Sequence, residues 1–274
     1  MARYARAVLD ASIAALEVEL ALAHELADAA DAISMDRFRA RDLVVSAKPD
    51  MTPVTEADRG IERTIRELLS AHRPSHAIVG EEFGGDVGAR AGWRWVIDPI
   101  DGTKSFVRGM ETWGTLIALQ YDGRTVVAVA STPADGQRYA AVRGGGASVN
   151  DESISVSAVT GVADSMLAHS SVAGFQRVGM WVDLLEMTER CWDARGLGNT
   201  HSHLAVARGT ADIGWTARAN LWDYAALSLI VEEAGGRFLD RSGDGPLGGV
   251  GLSTNGLLHD EVLSITGADR DRHP

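Results

Sequence analysis

Apolar residues near the start of the chain recur at the spacing of an amphipathic helix. The stripe covers residues 4–30 and is formed by Leu9, Ile13, Leu16, Leu20, Ala23 and Ala27. Positions three and four apart lie on one side of an α-helix, so this side is apolar while the opposite side is polar. The pattern predicts a first helix whose stripe packs against a sheet.

A second helix is predicted a short distance further on. Residues 48–53 contain two prolines, and each proline restricts the residue before it to extended geometry, which indicates a loop. Thr55 then offers a capping hydroxyl, and Asp58 lies three residues later, where an acid completes a reciprocal cap. The helix is therefore expected to begin near Thr55.

Short runs with strand character follow, separated by turn-forming residues. In the first half the predicted strands are residues 77–80, 94–97, 115–121 and 126–131, and the glycine run at 143–147 indicates a tight hairpin. In the second half strands at 165–169 and 211–215 alternate with helices at 181–191, 203–208 and 222–234. This order predicts an α/β protein with an α+β lobe over residues 1–160 and an α/β lobe over residues 161–274.

Composition narrows the class of partner. The 274 residues are 45% hydrophobic and carry a formal net charge of −12, so the chain can bury a core but lacks the basic face that nucleic acid or an anionic membrane requires. The most apolar stretch, residues 7–30, is interrupted by six ionisable residues and is not expected to span a bilayer. Cys191 is the single cysteine, which fits a reducing compartment and predicts a cytoplasmic protein.

The end of the second predicted strand carries the strongest chemical signal. The strand runs directly into Asp98 and Asp101, while Pro99 fixes the chain between them. Both carboxylates and the carbonyl of Ile100 can then face one point. A helix that begins at Gly102 would hold a phosphate at its N-terminus beside these acids. An Asp-rich capped turn is the alternative interpretation.

Four further acids have informative positions. Asp58 and Asp223 each lie on the apolar face of a predicted helix, where an unpaired carboxylate is costly, so each is expected to be a cap, an ion pair or a metal ligand. Glu81 and Glu82 follow a short strand and form either a solvated loop or another pair of ligands. Oxygen ligands favour Mg²⁺, with Mn²⁺ and Ca²⁺ less selective alternatives, whereas the histidines and the cysteine show no zinc spacing.

Taken together, four blocks of sequence resemble the inositol monophosphatase family of metal-dependent phosphatases. The blocks are residues 54–58, 79–82, 98–106 and 221–236, and the similarity runs through most of the chain. The resemblance implies a layered αβαβα sandwich, usually a homodimer. It also implies a phosphomonoesterase that uses two or three Mg²⁺ ions, with Mn²⁺ as a substitute, on a small phosphorylated metabolite.

The same resemblance implies roles for individual residues. The implied metal ligands are Glu81, Asp98, the Ile100 carbonyl, Asp101 and Asp223. The implied phosphate-binding residues are Asp101, Gly102 and Thr103, and the implied catalytic residues are Asp58, Glu81 and Thr103. Asp58 and Thr103 would position a water that attacks phosphorus directly. The acids Asp98 and Asp101 stand three apart, which does not match the Asp-x-Asp-x-Thr spacing of phosphatases with an aspartate nucleophile.

Within the family, the first lobe and the C-terminus are most similar to bacterial histidinol-phosphate phosphatases. The expected substrate wall departs from that pattern, and its residues are Asn199, Thr200, Thr216 and Arg218. Relatives commonly carry a glutamate at position 216 and an acid near position 199, and such a carboxylate would attract the ammonium group of histidinol phosphate. The departures suggest a different ester, such as a nucleoside or aminonucleoside monophosphate. The alternative is that Arg218 lies on the surface and another acid supplies the contact.

A second class of function is a non-catalytic protein that uses the acidic cluster only to hold a metal and a phosphorylated ligand. A third is a protein in which these acids are purely structural. The complete set of implied ligands, together with Thr103, favours an active enzyme.

Overall fold

Both helices and strands occur throughout the described part of the chain, and the strands between residues 114 and 153 follow one another without an intervening helix. The computed structural model describes residues 13–49, 51–88, 91–241 and 249–267. Within these ranges the α-helices are α1 Ile13–Arg37, α2 Glu56–His72, α3 Thr103–Val107, α4 Val172–Arg177, α5 Trp181–Arg190, α6 Asn199–Ala207, α7 Leu221–Glu233 and α8 His259–Thr266. The strands are β1 Val45–Ala47, β2 Pro53–Thr55, β3 Ala77–Gly80, β4 Trp93–Asp101, β5 Gly114–Tyr121, β6 Arg124–Thr132, β7 Gln137–Val142, β8 Gly146–Val149, β9 Glu152–Ser153, β10 Met166–His169, β11 Asp193–Gly196, β12 Ile213–Ala219, β13 Arg237–Arg241 and β14 Gly249–Thr254. The predicted α/β class is confirmed.

Two large sheets organise the fold. The first has seven strands in the order β3-β4-β5-β6-β7-β8-β9, with β3 parallel to β4 and the other neighbours antiparallel. The second has five strands in the order β11-β10-β12-β14-β13, and β10 is parallel to both of its neighbours. The first sheet lies before residue 160 and the second lies after it. The division into two lobes at that residue stays a prediction, because helices between the sheets join them in one core.

The hydrophobic clusters show how the layers are stacked. α1 and α2 pack on one face of the seven-stranded sheet through residues such as Leu26 and Ile65. Its other face packs against α6 and α7, whose Leu204 and Leu227 share a cluster with residues of both sheets. The outer face of the five-stranded sheet is covered by α4, α5 and α8, with Phe175 among the contacts. The order is therefore helix, sheet, helix, sheet, helix, as the resemblance to the family implies.

Strand β4 illustrates why its sequence is apolar on both sides. Trp95 and Ile97 point into the cluster formed with α1 and α2, whereas Val96 points into the cluster formed with α6 and α7. Successive side chains of a strand face opposite sides, so a strand buried on both faces contains an unbroken apolar run. The buried acids at its end are exceptions to that rule.

The first helix is confirmed, but its predicted end is wrong. Residues 4–12 of the prediction lie outside the described residues, and α1 continues past position 30 to Arg37. Its last turns contain the buried Ser34 and the half-buried Ile33, which packs against the core. The sequence did not predict these last turns of the helix, because polar and apolar residues are mixed in them and a single packed isoleucine does not produce a periodic apolar pattern.

Several other boundaries differ from the predictions. β4 does not end at residue 97 but runs through Asp101, and β12 covers Ile213–Ala219 instead of 211–215. α6 begins at Asn199, four residues before the predicted start. The prediction missed this start because Asn199 and Thr200 are polar and therefore do not show the apolar pattern of a buried helix, although both face a buried acid. β1, β2, β9, β11, β13, β14, α4 and α8 were not predicted, and β7 and β8 were predicted only as a hairpin. The hairpin at 143–147 is confirmed by the pairing of β7 with β8.

The predicted loop at 48–53 is the turn of a small hairpin. β1 and β2 pair antiparallel, and the backbone of Lys48 donates a hydrogen bond to the Thr52 carbonyl at 2.8 Å. The second predicted helix is confirmed as α2, with Thr55 and Asp58 forming the reciprocal cap. Among the described residues, no helix combines the length and apolar composition that crossing a bilayer requires.

We expect the central helical layer to be sensitive to truncation. Leu227 is 0% exposed and lies between the two sheets, so Leu227→Ala should lower the free energy of unfolding by about 2–5 kcal/mol. Leu257, which is 61% exposed, provides the matched control, and Leu257→Ala should change stability by less than about 0.5 kcal/mol. Urea denaturation of both variants measures the difference; equal losses would contradict the packing order.

Candidate active site

An irregularity in the first sheet brings two acids to the same side. Asp98 pairs with Leu116, but Asp101 pairs with Gly114, so β4 contains one more residue than β5 over this stretch. In a regular strand, residues three apart point to opposite faces, and a bulge removes that alternation. The hydroxyl of Thr115 donates to the Pro99 carbonyl at 2.7 Å and holds the bulge in place.

Asp223 completes a cluster of three carboxylates. It lies in the first turn of α7, and its carboxylate accepts a hydrogen bond from the backbone N–H of Asn220. Within the described residues, one ligand oxygen each of Asp98, Asp101 and Asp223 lie within 4.8 Å of one another, and all three residues are buried. Oδ1 of Asp98 is buried and has no hydrogen-bond partner there. The structure thus brings together three acids that the sequence analysis selected as metal ligands.

Burial and mutual repulsion make these carboxylates hard to ionise. Burial, together with the nearby charges of Glu81, Asp101 and Asp223, raises the pKa of Asp98 well above its usual value. Burial, with Asp101 and Glu81 beside it, raises the pKa of Asp223 to about 8. A divalent cation would relieve this repulsion. An oxygen-only donor set with one unpartnered buried oxygen therefore fits a hard cation such as Mg²⁺.

Glu81 stands beside the cluster but is not one of the three carboxylates within 4.8 Å. β3 is parallel to β4, so the turn after β3 emerges at the same edge as Asp98. Lys48 Nζ lies 2.7 Å from Glu81 Oε1 and 2.6 Å from Glu82 Oε1. Burial raises the pKa of Glu82 to about 7, although the bond from Lys48 opposes the rise. The paired acids in turn raise the pKa of Lys48, outweighing the burial that would lower it.

Asp58 serves both as a helix cap and as a neighbour of Thr103. Its Oδ2 accepts hydrogen bonds from the backbone N–H and the hydroxyl of Thr55 at 2.7 and 2.6 Å. Its Oδ1 accepts from the Thr103 hydroxyl at 3.3 Å, and this hydroxyl also lies 3.1 Å from the Ile100 carbonyl. Burial raises the pKa of Asp58. The cap and site interpretations of Asp58 are therefore compatible, and the predicted pair of Asp58 and Thr103 lies together.

Gly102 is required by the turn that follows β4. Its φ of 90° is left-handed, and a Cβ at this position would lie 2.8 Å from the Thr112 carbonyl oxygen. Gly102 is the N-cap and the helix α3 begins at Thr103, so the predicted start at Gly102 is wrong by one residue. The first N–H groups of α3 lie next to the acids at the end of β4, as expected from the sequence.

The start of α6 contacts Asp101. The backbone N–H of Thr200 donates to Asp101 Oδ2 at 2.9 Å, the Thr200 hydroxyl donates to the same oxygen, and Asn199 Nδ2 donates to Oδ1 at 3.2 Å. Burial raises the pKa of Asp101, and the bonds from Thr200 oppose the rise. Asn199 and Thr200, predicted as substrate-wall residues, thus lie at the acidic cluster itself. Their contact with Asp101 was not predicted, because it joins two segments far apart in the chain.

Thr216 is a buried residue of β12 in the five-stranded sheet. It is 0% exposed, and its hydroxyl is hydrogen-bonded to Nε2 of His203 at 3.1 Å, while Nδ1 of His203 is 2.8 Å from the Ser253 hydroxyl. Burial lowers the pKa of His203 to about 3, so this imidazole is neutral. Arg218, two positions along β12, is exposed. The structure does not bring Thr216 and Arg218 together, and sequence reasoning missed His203 as the partner of Thr216.

Lys48 is also a residue that the sequence analysis did not single out. It lies in the turn between β1 and β2 and places its ammonium group on Glu81 and Glu82. A local sequence pattern cannot predict this contact, because it joins residues more than 30 positions apart. The only related feature in the sequence is that the lysine begins the proline-containing loop ahead of the helix that carries Asp58.

A layered αβαβα sandwich with a buried carboxylate centre is the architecture of a metal-dependent phosphatase. Residues 15–267 match the sequence model of the inositol monophosphatase family, and the chain belongs to this family. Its members hydrolyse phosphoric monoesters, and this chain is a phosphoric monoester hydrolase of that type. The family is generally metal-dependent, in agreement with the acidic cluster.

Individual relatives cover almost the whole chain. A histidinol-phosphatase of Mycobacterium tuberculosis is 44% identical over 252 residues, which are 90% of this chain and 96% of its own length. A histidinol-phosphatase of Streptomyces coelicolor is 46% identical over 255 residues, covering 89% and 95%. Among solved structures, an inositol monophosphatase from Zymomonas mobilis has a TM-score of 0.79 at 32% identity and covers 93% of this chain and 98% of its own. An IMPase from Thermotoga maritima has a TM-score of 0.80 at 30% identity, covering 91% and 96%.

The buried imidazole of His203 predicts a pH dependence of stability. Burial lowers its pKa to about 3 in the folded protein, from about 6.5 for an exposed imidazole, so between these values the unfolded chain binds a proton that the folded chain lacks. Stability should therefore fall as the pH is lowered below 6.5, by at most about 1.4 kcal/mol per pH unit for this group. In His203→Gln the slope between pH 6 and pH 4.5 should be shallower by up to that amount, as measured by urea denaturation. The exposed His72 gives the control variant His72→Gln, and an unchanged slope in His203→Gln would contradict the prediction.

Proposed function

We propose that the chain hydrolyses the phosphate monoester of a small metabolite with the help of Mg²⁺. Two or three ions would be held by Glu81, Asp98, the Ile100 carbonyl, Asp101 and Asp223, and Mn²⁺ would be a substitute. The observation that carries the proposal is the buried group of Asp98, Asp101 and Asp223, in which an Asp98 oxygen lacks a partner among the described residues. When bound, the cations would neutralise the phosphate and lower the pKa of a water at the site.

The chain's own residues would bind the phosphate and orient the attacking water. The N–H groups at Gly102 and Thr103 begin a helix next to Asp101, and oxyanions bind favourably at such a position. Glu81 would contribute at the edge of the cluster, where Lys48 now pairs with it. Asp101 itself is fixed by Thr200, so the phosphate would meet a carboxylate whose orientation is already set.

Asp58 and Thr103 would direct the water and receive its proton. The Thr103 hydroxyl donates to Asp58 Oδ1, which turns the hydroxyl's lone pairs outward towards a water. A new bond would form between the water oxygen and phosphorus while the bond from phosphorus to the ester oxygen breaks. The ester oxygen would leave with the bonding electron pair and take up a proton from solvent water to give the alcohol. The water proton would move towards the Thr103 and Asp58 pair, where burial raises the pKa of the carboxyl and so favours its protonation.

Histidinol phosphate is the first candidate for the substrate. Two histidinol-phosphatases are 44% and 46% identical to this chain over about nine tenths of its length. Because the similarity covers about nine tenths of this chain, it includes the acidic centre and the hairpin that carries Lys48. The alcohol released would then carry an ammonium group that the pocket must accept.

A nucleoside or aminonucleoside monophosphate is the second candidate, and the side chains of the substrate wall favour it. The side chains of Asn199 and Thr200 donate hydrogen bonds to Asp101, and the hydroxyl of Thr216 is hydrogen-bonded to the neutral His203. None of these three residues offers a carboxylate to an ammonium group, and the exposed Arg218 would repel such a group only in a substrate that reaches the surface. The wall therefore suits a substrate without a cationic centre, which favours the nucleoside monophosphate over the aminonucleoside monophosphate.

We also propose that the enzyme is a cytoplasmic homodimer, as the resemblance to the family implies. The single cysteine fits a reducing compartment. A non-catalytic protein that only holds a metal and a phosphorylated ligand is the rival function. It would retain Mg²⁺-dependent thermal stabilisation but release no phosphate.

Loss of a cluster carboxylate should abolish hydrolysis. Asp101→Asn removes a negative charge that a cation requires, so phosphate release should fall more than about 100-fold, and Mg²⁺ should no longer raise the melting temperature. EDTA should abolish phosphate release by the wild-type enzyme, and added Mg²⁺ should restore it. Asp260, whose side chain is 87% exposed, gives the control Asp260→Asn, which should remain active. Substantial turnover without metal would refute the proposal.

A substrate panel separates the two candidate esters. Phosphate release from histidinol phosphate, inositol 1-phosphate and adenosine monophosphates should be compared for the wild type and for Arg218→Gln. A kcat/KM at least about tenfold higher for histidinol phosphate would support the first candidate. A preference for the nucleotide that weakens in Arg218→Gln by about 1 kcal/mol, or fivefold, would support the second. No release from any phosphate ester, with Mg²⁺ binding intact, would favour the non-catalytic rival.

A further inference from the structure

A buried glutamate lies beneath the turn that presents Glu81. Glu62 is one helical turn after Asp58 on α2, and it is 0% exposed. Its Oε2 accepts a hydrogen bond from the backbone N–H of Glu82 at 2.6 Å, and its Oε1 accepts from the backbone N–H of Phe83 at 3.2 Å. One buried carboxylate thus accepts hydrogen bonds from two consecutive amides of the turn after β3.

The turn is built to receive this carboxylate. A Cβ at Gly80 would overlap the carboxylate of Glu62, so a side chain at this position is excluded. Gly80 and Gly84 exchange two backbone hydrogen bonds of 3.1 Å that close the turn. Arg66 joins the two parts, because its Nε donates to Glu62 at 2.8 Å and its Nη2 donates to the Gly84 carbonyl at 2.5 Å.

These contacts leave the turn little freedom. A buried carboxylate that loses its donors is strongly unfavourable, so the amides of Glu82 and Phe83 are held wherever Glu62 places them. The backbone N–H of Glu81 donates to the Ile97 carbonyl of β4 at 3.2 Å, next to Asp98, and Glu81 is near enough to raise the pKa of Asp98. Moving the turn would therefore change the distance between Glu81 and the acidic cluster.

We propose that Glu62 is a positioning residue that sets the affinity of the site for divalent cations by fixing the turn that carries Glu81 and Glu82. The inference rests on the proposed function, because it assumes that Glu81 contributes to cation binding. Glu62 itself touches neither the cluster nor the substrate. Asp58 and Glu62 lie four residues apart on one face of α2, so this helix aligns both the turn and the water-directing acid.

Glu62→Gln tests the proposal. Glutamine has one acceptor oxygen, and its NH₂ group would face a backbone N–H, so one of the two turn amides loses its partner. In calorimetric titration of the metal-free protein with MgCl₂, the affinity should fall about 10- to 100-fold, as is usual when an outer partner of a ligand is lost. At saturating Mg²⁺, kcat should stay within about threefold of the wild type. Hydrogen exchange at the amides of Glu82 and Phe83 should accelerate in the metal-free protein.

Asp212 provides a matched control for a buried carboxylate. It is 5% exposed and accepts from the backbone N–H of Met166 at 2.6 Å, at the end of β12 away from Arg218. Asp212→Asn should lower the melting temperature while leaving Mg²⁺ affinity within about twofold and exchange at the turn amides unchanged. Arg66→Gln is a second variant that weakens the same turn. Because the Arg66 side chain is 26% exposed, this variant should lose less Mg²⁺ affinity than Glu62→Gln.

The outcomes are distinguishable. Weakened Mg²⁺ binding in Glu62→Gln and Arg66→Gln, but not in Asp212→Asn, supports the positioning role. Unchanged Mg²⁺ affinity in Arg66→Gln and Glu62→Gln, or an equal loss in Asp212→Asn, overturns it and leaves the proposed function standing. If Glu62→Gln fails to fold, the affinity and amide exchange of Arg66→Gln decide. Absence of Mg²⁺ binding by the wild type would overturn the proposed function itself.

Discussion

Repulsion among Asp98, Asp101 and Asp223 is the constraint on which the architecture of the site depends. The three carboxylates are buried with their oxygens within 4.8 Å of one another, and burial raises the pKa of each. Like charges at such distances in a poorly solvated interior are unfavourable by several kcal/mol. A fold that keeps them together must therefore hold each one from outside the cluster and leave room for a cation inside it.

The contacts around the cluster meet that requirement with neutral donors. The Asn220 N–H binds Asp223, the start of α6 binds Asp101, and Thr115 holds the bulge between the two acids of β4. Neutral donors fix the direction of a carboxylate without cancelling its charge. Glu81 differs from the three deeper acids, because it pairs with the ammonium group of Lys48, which lies in the turn of the β1 and β2 hairpin. The neutral donors around the three deepest acids thus add no positive charge that would compete with a metal.

Local patterns in the sequence predicted what local interactions decide. The two acids beside Pro99, the helix start next to Gly102 and the reciprocal cap of Thr55 and Asp58 all follow from a few neighbouring residues, and the structure contains them. The bond from Thr200 to Asp101 and the pair of His203 with Thr216 join residues brought close only by tertiary packing. The start of α6 was missed for the same reason, because its polar residues satisfy a buried acid and carry no apolar periodicity. Resemblance to a family supplied the roles of individual ligands, which spacing alone left open.

Asp101 links the two halves of the molecule. It belongs to β4 of the first sheet, yet its carboxylate is held by the first residues of α6, which follow β11 in the second sheet. β10, β11 and β12 are mutually parallel, so their carboxyl ends lie at one edge of the second sheet. The helices α6 and α7 follow β11 and β12 there; the first turn of α6 holds Asp101 through Thr200, and the first turn of α7 carries Asp223. Under the proposed function, the substrate wall and the metal centre share this edge, so a change at Asn199 or Thr200 would alter both. Thr216 is bonded to His203 instead, and a change at this position leaves the contacts of Asp101 in place, which explains how an intact acidic centre can coexist with an altered residue in the proposed wall.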